Sequence, residues 1–274
     1  MSRQPGRSRP ISASALAHVV DIARRAGDVV MTFYGQASAV RQKGDLGPVT
    51  LADIASHRLI VQELSAWDDS LPIISEEADV PAYQTRRDWT RFWMVDPLDG
   101  TKEFLAVNGE FTVNIALIEH GRPVLGVVVA PALGVTYFAA SGLGAYKQEG
   151  DGPVERLCSI PPRPGQPLRV VESRSHPCAQ LESYLATLPV SARLQVGSSL
   201  KFCWLADGRA DVYARLSPLM EWDTAAGDCV FRLSGESENR ASPLCYNGAS
   251  LRIDRFVLGL DDYYIGSLLR HEPS

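Results

Sequence analysis

The segment Trp93-Met-Val-Asp96-Pro-Leu-Asp99-Gly-Thr101-Lys-Glu-Phe104 puts two carboxylates three residues apart where an apolar run ends. Pro97 restricts the bend, and Gly100 permits a close backbone approach or an unusual φ. Such a turn can aim both carboxylates, and a backbone carbonyl between them, at one point. Hard divalent cations take that set of oxygens, and Mg²⁺ prefers near-octahedral coordination at about 2.0–2.1 Å. Thr101 follows with a hydroxyl and N–H groups where a helix can start, which suits a phosphate. Taken alone, the same string also reads as an ordinary surface turn.

Two more acidic sites accompany it. Ile73-Ile-Ser-Glu76-Glu77 ends another apolar run, and Met220-Glu221-Trp222-Asp223-Thr224-Ala225-Ala226-Gly227 sets an Asp at a helix start. Separately, Glu76 and Glu77 could be solvated and Asp223 could be an N-cap. Together they supply what a two- or three-metal phosphatase site needs, since that many gathered carboxylates repel one another without cations. Gly197-Ser198-Ser199-Leu200-Lys201 opens a helix after a strand. It offers either donors to a second phosphate or a routine Ser cap beside a surface Lys.

The elements that must hold these residues follow from periodicity. Helical spacing marks Ile11 to Tyr34 and Leu51 to Trp67, the second beginning after Thr50 as a cap and after the Gly44–Pro48 turn. Leu71–Ser75 and Arg91–Val95 read as buried strands, and Val113–Glu119, Val124–Ala130 and Val135–Ala140 as an antiparallel meander. Residues 147–167, rich in Gly, Pro and charge, read as a surface excursion. Strands and helices then alternate: Leu168–Glu172, Ala179–Leu188, Leu194–Val196, Ser199–Ala206, Asp211–Ala214, Thr224–Leu233, Leu251–Phe256 and Asp261–Leu269. The expectation is a layered α/β (α+β) chain: a tail over 1–10, an antiparallel N-terminal half over 11–150 and an alternating C-terminal half over 151–274.

Composition narrows the classes. The 274 residues carry 27 Lys+Arg against 32 Asp+Glu, a net charge of −5. That balance gives no general attraction to a nucleic-acid polymer or an anionic membrane. The longest apolar stretch, Val124 to Val135, contains Pro131 and is too short to span a bilayer. Five dispersed cysteines, without a Cys-x-x-Cys pair, argue against a structural zinc or disulfide framework and fit a reducing cytoplasm. Cys203 and Cys229 fall in apolar helical patterns and should be buried. The histidines lack metal-ligand spacing, and serine-hydrolase, P-loop and dinucleotide fingerprints are missing.

Four stretches also resemble a known family. Pro48-Val-Thr-Leu-Ala-Asp53, Ser75-Glu76-Glu77, Asp96-Pro-Leu-Asp-Gly-Thr-Lys-Glu-Phe104 and Trp222-Asp-Thr-Ala-Ala-Gly227 look like the signatures of the lithium-sensitive, Mg²⁺-dependent inositol monophosphatase superfamily. Thr101–Phe104, Asn108-Gly-Glu-Phe-Thr-Val-Asn-Ile-Ala116, Ser173-Arg-Ser-His176 and Gly197-Ser-Ser-Leu-Lys-Phe-Cys203 are more similar to its bacterial 3′(2′),5′-bisphosphate nucleotidases of the CysQ type. Inositol monophosphatases more often carry Asn in place of Glu103.

The resemblance implies an αβαβα sugar-phosphatase-type fold binding two or three Mg²⁺ ions. Glu76, Asp96, the Leu98 carbonyl, Asp99 and Asp223 would hold the metal, and Asp53 and Thr101 would orient and deprotonate the attacking water. Gly100 and Thr101 would meet the phosphate beside these metal ligands, while Ser198, Lys201 and Arg215 would meet the far end of a nucleoside 3′,5′-bisphosphate. The implied reaction turns adenosine 3′,5′-bisphosphate into AMP and phosphate, clearing a by-product of sulfate assimilation. Within the family the alternative is an inositol-1-phosphatase or another sugar phosphatase; outside it, a non-catalytic metal- or nucleotide-binding regulator. Relatives occur as monomers and as homodimers, and some bacterial ones are peripheral to the inner membrane; the expected location of this chain is the cytoplasm. One departure stands out: Asp228-Cys229 follows Gly227 where relatives commonly carry His-Ala, so Asp228 should either face solvent or alter the metal's field.

Overall fold

The computed structural model describes residues 10–35, 40–42, 48–175, 179–235 and 242–260. Most of the proposed N-terminal tail, His176, much of the 44–48 turn and the expected last helix lie outside them. Helix α1 (Ala13–Met31) starts where the Ser12 hydroxyl accepts the Ala15 N–H at 3.1 Å, a side-chain N-cap. Its Leu16, Val19, Ala23, Ala26 and Val30 form one buried stripe. A short ribbon, β1 (Val40–Gln42) with β2 (Pro48–Thr50), runs directly into α2 (Leu51–Trp67).

Next come β3 (Ile73–Ser75), the single turn α3 (Tyr83–Arg86), β4 (Arg91–Asp99) and the short helix α4 (Thr101–Leu105). The meander is β5 (Thr112–Glu119), β6 (Arg122–Ala130), β7 (Val135–Ala140), β8 (Gly144–Glu149) and β9 (Glu155–Arg156). These strands form a seven-stranded sheet in order β3-β4-β5-β6-β7-β8-β9. Only its β3–β4 pair is parallel. The expected surface excursion therefore begins later than its composition suggests. Residues 144–149 pair with β7, because backbone register and buried Gly144 and Ala145 outweigh the polar Lys147-Gln-Glu149 end.

The second half supplies β10 (Leu168–Ser173), α5 (Ala179–Leu185), β11 (Val190–Val196), α6 (Leu200–Ala206) and β12 (Val212–Arg215). It continues with β13 (Leu219–Met220), α7 (Ala225–Leu233), β14 (Arg252–Ile253) and β15 (Phe256–Leu258). The second sheet runs β11-β10-β12-β15, parallel except for β15. The single strand expected over Leu251–Phe256 is two: β14 pairs with β13, and β15 joins β12 in the second sheet.

Alternation explains the layering. On β4, Trp93 and Val95 face α1 and α2, whereas Phe92 and Met94 face α6 and α7. Val171 and Tyr213 of the second sheet close on the opposite side of α6 and α7, while Val170, Val212 and Ala214 face α5. The order is helices, sheet, helices, sheet, helix, the αβαβα arrangement. Gly227 makes the middle layer tight: a Cβ there would lie 2.7 Å from Phe202 on α6. Cys203 and Cys229 are buried in this layer. No helix among the described residues is long and apolar enough to cross a membrane.

Asp228 does not face solvent, and the partners of its carboxylate are residues other than the clustered acids. It is fully buried, accepts from Arg232 Nε at 2.8 Å and from the Tyr246 hydroxyl at 3.0 Å, and so ties α7 to the 242–247 segment.

Candidate active site

The first sheet ends in acids because its strands stop there. Glu76 leaves β3 with its N–H on the Val95 carbonyl at 3.2 Å, beside β4. In β4 the register shifts between Asp96 and Asp99, a bulge that lets both side chains turn toward one region. Asp96 Oδ1 accepts the Leu98 N–H at 3.1 Å, and the Ser56 hydroxyl on α2 donates to the Pro97 carbonyl at 2.8 Å. Those two bonds hold the Asp96–Asp99 loop from inside and from the neighbouring helix.

Gly100 then takes φ +88°, and a Cβ on it would come within 2.3 Å of Ser198 Oγ. No other residue fits that approach. From the second half, Asp223 ends a 3₁₀ turn (Glu221–Asp223), its Oδ2 accepting the Met220 N–H at 2.9 Å.

Glu76, Asp96 and Asp223 each bring a carboxylate oxygen to within 4.8 Å of the others. Asp99 lines a cavity together with Glu76 and Asp223, its Oδ2 accepting the Ser199 N–H at 2.7 Å. Leu98 is buried between the two aspartates. Asp53, in the first turn of α2, is buried, and both it and Thr101, the first residue of α4, line the cavity.

Electrostatics show what this gathering costs. Burial, then the charge of Glu76, holds Asp96 well above the usual carboxylate range. Burial and the Asp99 and Glu76 charges do the same to Asp223. Glu76 stands at the mouth with much of its surface exposed, yet protein crowding and the neighbouring Asp99, Glu77 and Asp53 push it up to about 7. Asp99 is raised by burial against the opposing pull of Lys201 and Ser199. Asp96 Oδ2 is buried with no hydrogen-bonding partner among the described residues. Clustered carboxylates that resist ionisation, one with an orphaned oxygen, fit a divalent cation.

The cavity, about 780 Å³, is of small-molecule size. Two buried cations line it as well. Lys201 Nζ is buried, donates to the Ser198 carbonyl at 2.6 Å, and is pushed down to about 8 by burial despite the Asp99 charge. Arg215, at the end of β12, is buried and donates from Nε to the Ser217 carbonyl at 3.0 Å. Ser198 has φ +53°, and its hydroxyl proton lies between the Asp99 carbonyl at 2.9 Å and the Glu110 carbonyl at 2.7 Å. All three line the cavity.

Several wall residues escaped the sequence reading. Met220, Trp222, Tyr213 and Phe202 provide its apolar surface, and Arg252 enters from β14. Glu110 pairs with Arg174 at 2.7 Å and accepts the Gly197 N–H at 2.9 Å, fastening the 197–201 turn to the first half. Ser199 does not cap α6; its hydroxyl donates to the Asp223 carbonyl at 2.7 Å. These roles depend on partners up to a hundred residues away, so only the Asn108–Ala116 and Gly197–Cys203 motifs hinted at them.

Comparison with known proteins places these features in context. Residues 12–236 match the model of the inositol monophosphatase family. A 3′(2′),5′-bisphosphate nucleotidase CysQ of Shigella flexneri is 48% identical over 222 residues, covering 80% of this chain and 88% of the relative. The protein of the same name from Aggregatibacter actinomycetemcomitans is 34% identical, covering 91% of this chain and 94% of its own. Among solved structures, CysQ of Bacteroides thetaiotaomicron aligns with a TM-score of 0.76 at 37% identity, over 90% of this chain and 97% of that one. An inositol monophosphatase of Thermotoga maritima aligns with a TM-score of 0.74 at 23% identity, over 94% and 97%, a likeness of fold.

Proposed function

The chain belongs to the inositol monophosphatase family, and from that premise we propose that it removes the 3′-phosphate of adenosine 3′,5′-bisphosphate, giving AMP and phosphate. The observation that carries the reading is that one cavity holds both clustered carboxylates and two buried cations, Lys201 and Arg215. A single phosphate needs only the acidic cluster and the cations it would hold. A substrate with two phosphates uses Lys201 and Arg215 as well.

Glu76, Asp96, Asp99, Asp223 and the Leu98 carbonyl would hold Mg²⁺, and the orphaned Asp96 Oδ2 fits that role. When bound, divalent cations supply positive charge to the phosphoryl group, the attacking water and the departing oxygen. Asp53 would accept the proton of that water at its carboxylate, with the Thr101 hydroxyl orienting it. The Gly100 and Thr101 N–H groups would face the reacting phosphate's oxygens. Lys201 and Arg215 would fix the 5′-phosphate and thereby aim the 3′-ester at the acids. Positioning and charge neutralisation carry most of the rate in such phosphoryl transfers. Free thiols at Cys158, Cys203, Cys229 and Cys245 suit a cytoplasmic setting.

A kinetic panel tests the assignment. With Mg²⁺, kcat/KM for adenosine 3′,5′-bisphosphate should exceed that for myo-inositol 1-phosphate and fructose 1,6-bisphosphate, and Li⁺ should inhibit. A higher value for either sugar phosphate would overturn it.

A further inference from the structure

Ser199 sits where the two halves of the acidic site meet. It is 1% exposed. Its N–H donates to Asp99 Oδ2 at 2.7 Å, its hydroxyl donates to the Asp223 carbonyl at 2.7 Å, and the same hydroxyl accepts from Asn114 Nδ2 at 3.0 Å. Asn114 is the register partner of Asp96 across the β4–β5 pair. One small residue thus links Asp99 to the main chain of Asp223, and through Asn114 to the strand position facing Asp96. The hydroxyl's donor and one acceptor site are both used within the protein.

Asp99 and Asp223 come from opposite halves of the chain, and their charges repel. Something neutral has to set their separation before a cation arrives. We infer that Ser199 is a positioning residue that spaces Asp99 and Asp223 for the divalent cation, without itself touching metal or substrate. The inference rests on the metal-site reading above.

The test is calorimetric titration of Mg²⁺ into substrate-free protein. Ser199→Ala keeps the N–H bond to Asp99 but frees the Asp223 carbonyl and Asn114 Nδ2, so Mg²⁺ affinity should fall about 10- to 100-fold, the effect of two buried hydrogen bonds. Ser199→Thr, which keeps the hydroxyl, should restore it. Ser199→Cys, which keeps the bulk with only a weak donor, should behave like Ala and stands in for it if the Ala variant does not fold. At saturating Mg²⁺ the KM for adenosine 3′,5′-bisphosphate should stay at the wild-type value in all three. Wild-type affinity in both the Ala and Cys variants would overturn the inference alone. A wild-type protein that binds no Mg²⁺ would overturn it together with the metal-site reading.

Discussion

A Cβ at Gly100 would lie 2.3 Å from the hydroxyl oxygen of Ser198, so the acidic loop of one half and the basic turn of the other are in contact only because Gly100 has no side chain. Gly100→Ala would suffer both this clash and the left-handed φ of +88°. Activity should fall at least about 100-fold, and stability by more than the roughly 1–2 kcal/mol of the backbone strain alone. Gly134→Ala is the control: its φ is +63° with nothing within 4 Å, so it should lose only the strain energy and keep full kcat. Thermal melts beside steady-state kinetics separate the two cases.

Removing one charge from the cluster should trade function for stability. Asp96→Asn and Asp223→Asn are each expected to abolish measurable turnover. In metal-free buffer both variants should melt above wild type, because burial and mutual repulsion penalise these carboxylates. Full activity in both would show that neither residue serves the reaction.

Cation-dependent stabilisation should grow with pH. Glu76 is raised from 4.5 to about 7, and Asp96 and Asp223 are raised as well. For a carboxylate raised on folding, the native state binds protons the unfolded chain has released. Its contribution is complete below the unfolded value and disappears as pH climbs through the folded one. Metal-free protein should therefore lose stability between about pH 4 and 8, whereas saturating Mg²⁺ should flatten that decline. The melting-temperature gap between the two forms should be wider at pH 8 than at pH 5; a constant gap would contradict it.

Arg215→Met should separate substrates. It removes a buried cation from the cavity, at the cost of a bond to Ser217. KM for adenosine 3′,5′-bisphosphate should rise about 10- to 100-fold, as for a lost charge-assisted contact, with a much smaller change for adenosine 3′-monophosphate. Equal losses on both would remove the assigned role.

Asp228→Ala should act on the fold alone. The carboxylate is fully buried against Arg232 at 2.8 Å, so deletion strands a guanidinium and should cost about 3–5 kcal/mol. Specific activity of the folded fraction should be unchanged. Denaturant titration and active-site counting would check both halves of that statement.

What could be read from the chain was local. Pro97, Gly100 and the Asp96–Asp99 spacing announce a loop of oxygens because turn chemistry is written in a few adjacent residues. The apolar periods of α1, α2 and the meander likewise reflect faces a single element buries. Ser199, Glu110 and Asp228 were opaque for the opposite reason, since each owes its role to a partner distant in sequence. A Ser before a helix looks like a cap until Asp223 is seen behind it. Strand β8 hid in polar composition because its pairing partner, not its side chains, decides its conformation.

The middle helices, α6 and α7, come from residues 200–233, yet they cover Phe92, Met94, Ile118 and Val128 of a sheet whose last strand ends at Arg156. A ribosome making this chain therefore releases a sheet with one bare greasy side, which stays undressed until residues 200–233 have emerged.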